Sequence, residues 1–180
     1  TDPNGPELKQ IVKEHYNPII ALIRSIEKPI IGAVNGVAAG AGANIAFACD
    51  VVIAHEHASF IQAFSKIGLI PDSGGTYFLP RLIGSQKALA LMMTGDKVSA
   101  KEADQMNMIF KAVPADSYES FTTDFVTQIA SMPTKALALT KKAVQLSWFQ
   151  SLDEQLDTEL NLQVQAGNTA DFNEGVQAFL

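Results

Sequence analysis

Between Pro29 and Cys49 the chain reads PIIGAVNGVAAGAGANIAFAC, an apolar stretch in which residues 38–44 carry no side chain larger than asparagine. No other segment restricts the fold as strongly. It has the length of a membrane span, yet Asn35, Asn44 and a series of glycines interrupt it, so it does not read as one. Its first part, residues 28–36, fits a short buried strand that begins at a proline. Its second part changes to helical spacing through Ile45, Ala46 and Phe47. VVIA at 51–54 reads as a second buried strand and ASFIQAF at 58–64 as a third.

The rest of the chain is mostly helical in pattern. Residues 7–26 show apolar spacing at Leu8, Ile11, Val12, Ile19, Ile20, Leu22 and Ile23, with Pro18 predicted to break or kink the helix. Residues 85–95 should form a helix from a Ser85 cap to a Gly95 stop. Residues 99–107 carry a capping-box spacing, Ser99 with Glu102, before a short strand at 108–113. Three amphipathic helices are predicted near 117–131, 134–148 and 151–167. Strands alternating with helices, followed by a helical tail, favour the α/β class.

Composition narrows the function. The 180 residues are 47% hydrophobic, enough for one sizeable core, and 18% charged. A net charge of -6 and a pI near 5.0 argue against nucleic-acid partners. The single cysteine, Cys49, excludes a disulfide framework and a CxxC metal site. His55 and His57, with only Glu56 between them, lack the further ligands of a metal site, so no metal is expected. No GxSxG elbow surrounds Ser59 or Ser73, and no GKS/T follows the glycines at 40–42, so a hydrolase triad and a P-loop are disfavoured. The opening, TDPNGPELKQ, is polar and turn-forming, unlike a secretory signal, which points to the cytoplasm or an organelle matrix and to no membrane partner. The chain lacks an initiator Met, so a fragment of a longer protein is expected.

Two stretches are candidates to carry chemistry. Gly40-Ala41-Gly42-Ala43-Asn44 follows a strand without bulky side chains. There a ligand can approach the backbone, and a helix start would turn free N–H groups toward developing negative charge. Tight helix packing explains the same small residues, and both readings stay open. The second stretch, IGLIPDSGGTYFLPRLIG at 67–84, sets Asp72 after an apolar run. Asp72 or Ser73 could cap the following helix. Equally, Ile67, Leu69, Ile70 and Pro71 could desolvate the carboxylate and make it a better base, with Gly74 and Gly75 leaving room for a ligand. The two readings are compatible.

Taken together, KPIIGAVNGVAAGAGANIAFACDVVIA, ASFIQAFSKIGLIPDSGGTYFLPRLIG and ALMMTGDKVSAKEADQMNMIFKAV resemble, in order and spacing, the enoyl-CoA hydratase/isomerase (crotonase) superfamily. The resemblance runs from about Lys28 to the end. It implies an α/β fold of repeated ββα turns, with residues 1–115 in the spiral core and 116–180 a helical tail that trimerises and covers the active site. It implies acyl-CoA thioester substrates, coenzyme A arriving as part of the substrate with no other cofactor, and a homotrimer or a hexamer of two trimers. One oxyanion donor maps to the Ala41 N–H. The other belongs to a loop expected before Thr1, so the chain should correspond to roughly the C-terminal two-thirds of the fold.

The two glutamates of the hydratases map onto Asn44 and Phe64, which disfavours water addition. Asp72 falls where some isomerases of the superfamily carry their catalytic aspartate, and AFSKIGLIPDSGGT is most similar to the branch that isomerises ring epoxides in phenylacetate breakdown. The resemblance thus implies an acyl-CoA isomerase in which Asp72 moves the proton and Ala41 N–H binds the thioester oxygen. Gly40, Gly42, Asn44, Phe64, Pro71, Gly74 and Gly75 would line the pocket. An enoyl-CoA hydratase, an aryl-CoA dehalogenase-like enzyme and a non-catalytic subunit are the alternatives.

Overall fold

A computed structural model describes residues 7–179 of the chain. The turn-forming opening, residues 1–6, lies outside the described residues. The chain divides into two compact units, one reaching to Ser25 and resuming over Ile30–Asp124, the other made of Ile26–Pro29 and Phe125–Leu180.

The first unit begins with α1 (Leu8–Gln10), a π-helical segment over Ile11–Tyr16, and α2 (Asn17–Ser25). Pro18 therefore does not break the helix. The widened π-helical turns end two residues before it, where a proline's missing N–H and its clash with the preceding turn are absorbed.

Two three-stranded sheets follow. The first joins β1 (Ile31–Val34), β3 (Val51–His55) and β6 (Lys111–Val113), all parallel, with Ile31 opposite Val51 and Ile53 opposite Lys111. The second joins β2 (Val37–Ala39), β4 (Ser59–Ile61) and β5 (Lys97–Ser99), with Ala38 opposite Phe60 in parallel and Phe60 opposite Val98 in antiparallel pairing. Strands β1 to β4 feed the two sheets alternately, β5 then joins the second sheet beside β4 and β6 returns to the first, with helix α3 (Ala41–Ala48) between β2 and β3.

The core gathers on α3. Ala43 and Ala48 are fully buried, and Phe47 stacks on Phe60 with ring centroids 5.5 Å apart. Phe78 and Leu79 of α4 (Gly75–Ile83) and Ala88 and Met92 of α5 (Ser85–Thr94) complete it. α5 starts differently from expectation: its cap is Gly84, at φ 80 and with no side-chain hydrogen bond, so Ser85 is the first helical residue and not the cap. Helix α6 (Ala100–Gln105) has the full Ser99–Glu102 capping box, and Gly95 ends α5 in the left-handed region.

The boundary between the units falls inside α7 (Tyr118–Ala130). Beyond it the second unit holds α8 (Thr134–Leu146), α9 (Leu152–Gly167) and α10 (Ala170–Phe179). Lys135 pairs with Glu27 at 3.0 Å, and Lys141 Nζ donates to the Lys28 carbonyl, which ties the short 26–29 segment to α8. Ala138, Leu139 and Leu162 are buried here. A groove of about 700 Å³ runs between α8 and α9, lined by Ala143, Val144, Leu156 and Leu160 among others. Trp148 and Phe149 stand exposed. Among the described residues no helix is long and apolar enough to cross a membrane.

Candidate active site

The small residues of 40–44 divide between a packed part and an open part. Ala43 and the residues after it pack into the core, while Gly40, Ala41 and Gly42 form the open N-terminal mouth of α3. Gly40 adopts φ 54, ψ -123, a conformation that only glycine takes without strain, and its N–H donates to the Ile61 carbonyl at 2.8 Å. That bend sets Ala41 as the first helical residue, with no side chain capping the helix. Its N–H has no intrahelical partner, and the helix dipole adds positive potential at the same end. Phe64, itself buried, backs this bend: a Cβ on Gly40 would meet its ring at 3.6 Å. Gly42 is exposed, with open space where a Cβ would stand.

Asp72 is half-buried and does not cap a helix. α4 starts at Gly75, and its cap residue is Gly74 at φ 75, with no side-chain hydrogen bond. The expected helix start is real, but two residues further on, because Ser73 (φ 50) and Gly74 both turn left-handed before the helix can begin. Most of the apolar neighbours expected to desolvate the carboxylate are themselves open to solvent: Ile67 is 73% and Ile70 80% exposed. Leu69 is exposed as well, and only Pro71 is half-buried.

What holds Asp72 is hydrogen bonding. Its carbonyl oxygen accepts from the Gly75 N–H at 2.8 Å and from Asn44 Nδ2 at 2.8 Å. Its Oδ1 accepts from Ser73 Oγ at 2.9 Å. Asn44, expected to line the pocket, is fully buried. Its amide donates to Asp72, and its Oδ1 accepts from Gln62 Nε2 at 2.8 Å, so both of its polar ends are turned to protein partners. Gly75 makes room for that amide, since a Cβ there would collide with the Asn44 side chain. Asn44 lies one turn along α3 from Ala41. A single side chain thus ties the Asp72 segment to the helix whose mouth carries the free N–H.

Gln62 and Ser73 escaped the sequence reading as parts of this site. Gln62 carried a usable signal: a polar amide inside the apolar run ASFIQAF must find a buried partner. His55 and His57 lie apart from it, at the end of β3. The His57 N–H donates to His55 Nδ1 at 3.1 Å, and the His55 ring meets Tyr118 edge-on.

Comparison with known proteins gives this geometry its context. Residues 3–180 match the enoyl-CoA hydratase/isomerase family. The 1,2-epoxyphenylacetyl-CoA isomerase of Escherichia coli strain K12 is 44% identical over 181 residues, covering 99% of this chain and 69% of that protein. A protein of Rhodobacter capsulatus described as a probable enoyl-CoA hydratase is also 44% identical, over 176 residues, covering 98% of this chain and 68% of its own length. Among solved structures, an enoyl-CoA hydratase from Polaromonas sp. JS666 superposes with a TM-score of 0.90 at 32% identity, covering 98% of this chain and 68% of that one. The chain spans about two thirds of the length of each. A match over nearly every residue, at this identity and with this fold, means that the chain belongs to the enoyl-CoA hydratase/isomerase family.

Proposed function

We propose that the chain works as an acyl-CoA isomerase, with Asp72 as its acid–base group and the Ala41 N–H as an oxyanion donor. One observation carries the reading. The half-buried Asp72 carboxylate sits on a segment hydrogen-bonded through Asn44 to the first turn of α3, so proton carrier and oxyanion donor share one rigid support. The thioester oxygen would accept from Ala41 N–H, and such a donor typically contributes about 3 kcal/mol as negative charge develops. Asp72 would take a proton from the carbon alpha to the carbonyl and hold it as the carboxylic acid. It would return that proton to the gamma carbon, so a 3-enoyl thioester becomes a 2-enoyl thioester with no atom gained or lost. Gly40, Gly42, Phe64, Pro71, Gly74 and Gly75 would shape the acyl site, with Asn44 acting as a positioning residue behind it. No cofactor is needed beyond the coenzyme A of the substrate.

The name of the Escherichia coli relative favours an aryl ring epoxide, rearranged to the oxepin, as the substrate. Phe64 suits that choice, because an apolar ring beside the glycine bend gives water no support for attack. The equally similar Rhodobacter capsulatus relative favours hydration as the second reading. An acyl-CoA substrate and an acidic chain both suit the cytoplasm.

We further propose that α9 meets a second copy of the chain in a trimer or in a pair of trimers. Leu152, Leu156, Leu160 and Val164 recur every four residues along it, each more than half exposed. Such a ridge is what helices interdigitate when they pack.

The deciding assay compares the full-length protein with its Asp72→Asn variant. It follows 3-enoyl-CoA isomerisation by absorbance, with hydration of 2-enoyl-CoA alongside. A loss of roughly 10²- to 10⁴-fold is expected for the variant. A variant as active as the parent would remove Asp72 from the chemistry. Robust hydration by the parent would favour the hydratase reading.

A further inference from the structure

Ser73 occupies a position at which a serine is out of place. Its φ of 50 lies in the left-handed region, followed by Gly74 at φ 75, and its side chain is only 2% exposed. Glycine adopts that backbone without strain, and glycine already fills the next two positions. The serine hydroxyl has one evident use: Ser73 Oγ donates to Asp72 Oδ1 at 2.9 Å. The donor end of that bond is buried with Ser73, while Asp72 itself is half-buried.

We propose that Ser73 is the positioning residue of the Asp72 carboxylate, fixing Oδ1 so that Oδ2 is the oxygen that carries the proton. This rests on the acid–base role proposed for Asp72 above. A carboxylate on a loop turns about its own side-chain torsions. Here the carbonyl of Asp72 is pinned by Asn44 and Gly75, and the hydroxyl of Ser73 holds the far end of the same residue. The backbone bonds fix where the side chain starts, and the Ser73 bond restrains how its carboxylate turns. The substrate proton goes to Oδ2 and leaves from it, while the Ser73 proton stays on its own oxygen throughout.

The test uses Ser73→Gly and Ser73→Ala in the full-length protein, with Asp72→Asn as reference. Both serine variants lose the hydroxyl. The first also relieves the backbone, so it should melt at or above the temperature of the second. Both are expected to lose roughly 10- to 100-fold in kcat with KM little changed, because a misdirected base slows the transfer and not the binding. In the more stable Ser73→Gly protein, stability and activity should part company, which a merely structural serine would not produce. Adding Ser73→Ala to Asp72→Asn should cost nothing further.

Three results would overturn the proposal while leaving Asp72 in its role. They are an inactive Asp72→Asn beside serine variants within about twofold of the parent, a loss in Ser73→Gly alone, or a rise in KM with kcat intact. An active Asp72→Asn protein would instead sink the acid–base reading itself, and this inference with it.

Discussion

Asn44 and Asp72 are 28 residues apart in sequence and joined by one hydrogen bond, 2.8 Å from the Asn44 amide nitrogen to the Asp72 carbonyl oxygen. The bond runs from a fully buried side chain to the backbone of a half-buried loop. An asparagine inside the apolar helix Ala41–Ala48 would be costly unless both ends of its amide were satisfied, and Gln62 satisfies the other. The helix whose mouth carries the Ala41 N–H is therefore tied, through that one side chain, to the loop that carries Asp72.

Replacing Asn44 with Ala should expose how much rests on that link. The change leaves the Gln62 amide and one lone pair of the Asp72 carbonyl without partners in a buried place. Each such group costs about 1–3 kcal/mol. Urea denaturation should show a loss of roughly 2–4 kcal/mol, accompanied by a fall in isomerase kcat. Gly75→Ala should act in the same direction, since its methyl group would displace the same amide. An Asn44→Ala protein with the parent's midpoint would mean that the loop is held by other contacts.

Gly42 should answer differently. It is a helical residue with open space at its Cβ position, so Gly42→Ala should stabilise the free protein by about 0.5–1 kcal/mol. The added methyl group stands beside the Ala41 N–H, where the thioester would lie, so KM for acyl-CoA should rise. A more stable variant that binds acyl-CoA as the parent does would move the thioester away from the mouth of α3.

Local rules read well from this sequence. The Ser99–Glu102 capping box and the Gly95 stop are decided within four residues, and both appear in the structure. Features that depend on distant partners did not. β2 and β5 are three residues long and exist because Phe60 pairs with Ala38 on one side and Val98 on the other, separations that no local pattern encodes. The same holds at the site. Asp72 is visible as a carboxylate after an apolar run, but Ile67, Leu69 and Ile70 of that run are exposed, and the bonds that hold it come from Asn44 and from a serine in a backbone conformation that sequence does not announce.

The cap of α9 predicts a response to acid. The Ser151 backbone N–H, and after it the Ser151 hydroxyl, hold the Glu154 carboxyl below the ordinary glutamate range. A carboxyl whose folded value is depressed binds protons more readily when unfolded, so its contribution is fully present above the unfolded value. It is lost as pH falls through the folded one. Glu154→Gln should therefore be less stable than the parent at pH 7, and the gap should close below about pH 4, under the ordinary glutamate value. Denaturant midpoints of both proteins at the two pH values measure this. A gap that persists in acid would assign the stabilisation to the glutamate's shape and not to its charge.

The exposed ridge on α9 makes the last prediction. Burying one leucine fully contributes about 1.5–3 kcal/mol, so a four-residue ridge can hold subunits together only if most of it is covered. Leu160→Glu with Val164→Glu places two carboxylates in the C-terminal half of that surface, where desolvating them without partners would outweigh the remaining contacts. The parent should sediment as a trimer or larger. The double variant should sediment as a smaller species at the same concentration, with its helical circular dichroism retained because both positions already face solvent in the single chain. An unchanged sedimentation coefficient would exclude this ridge as the contact between copies and leave α9 free for another partner.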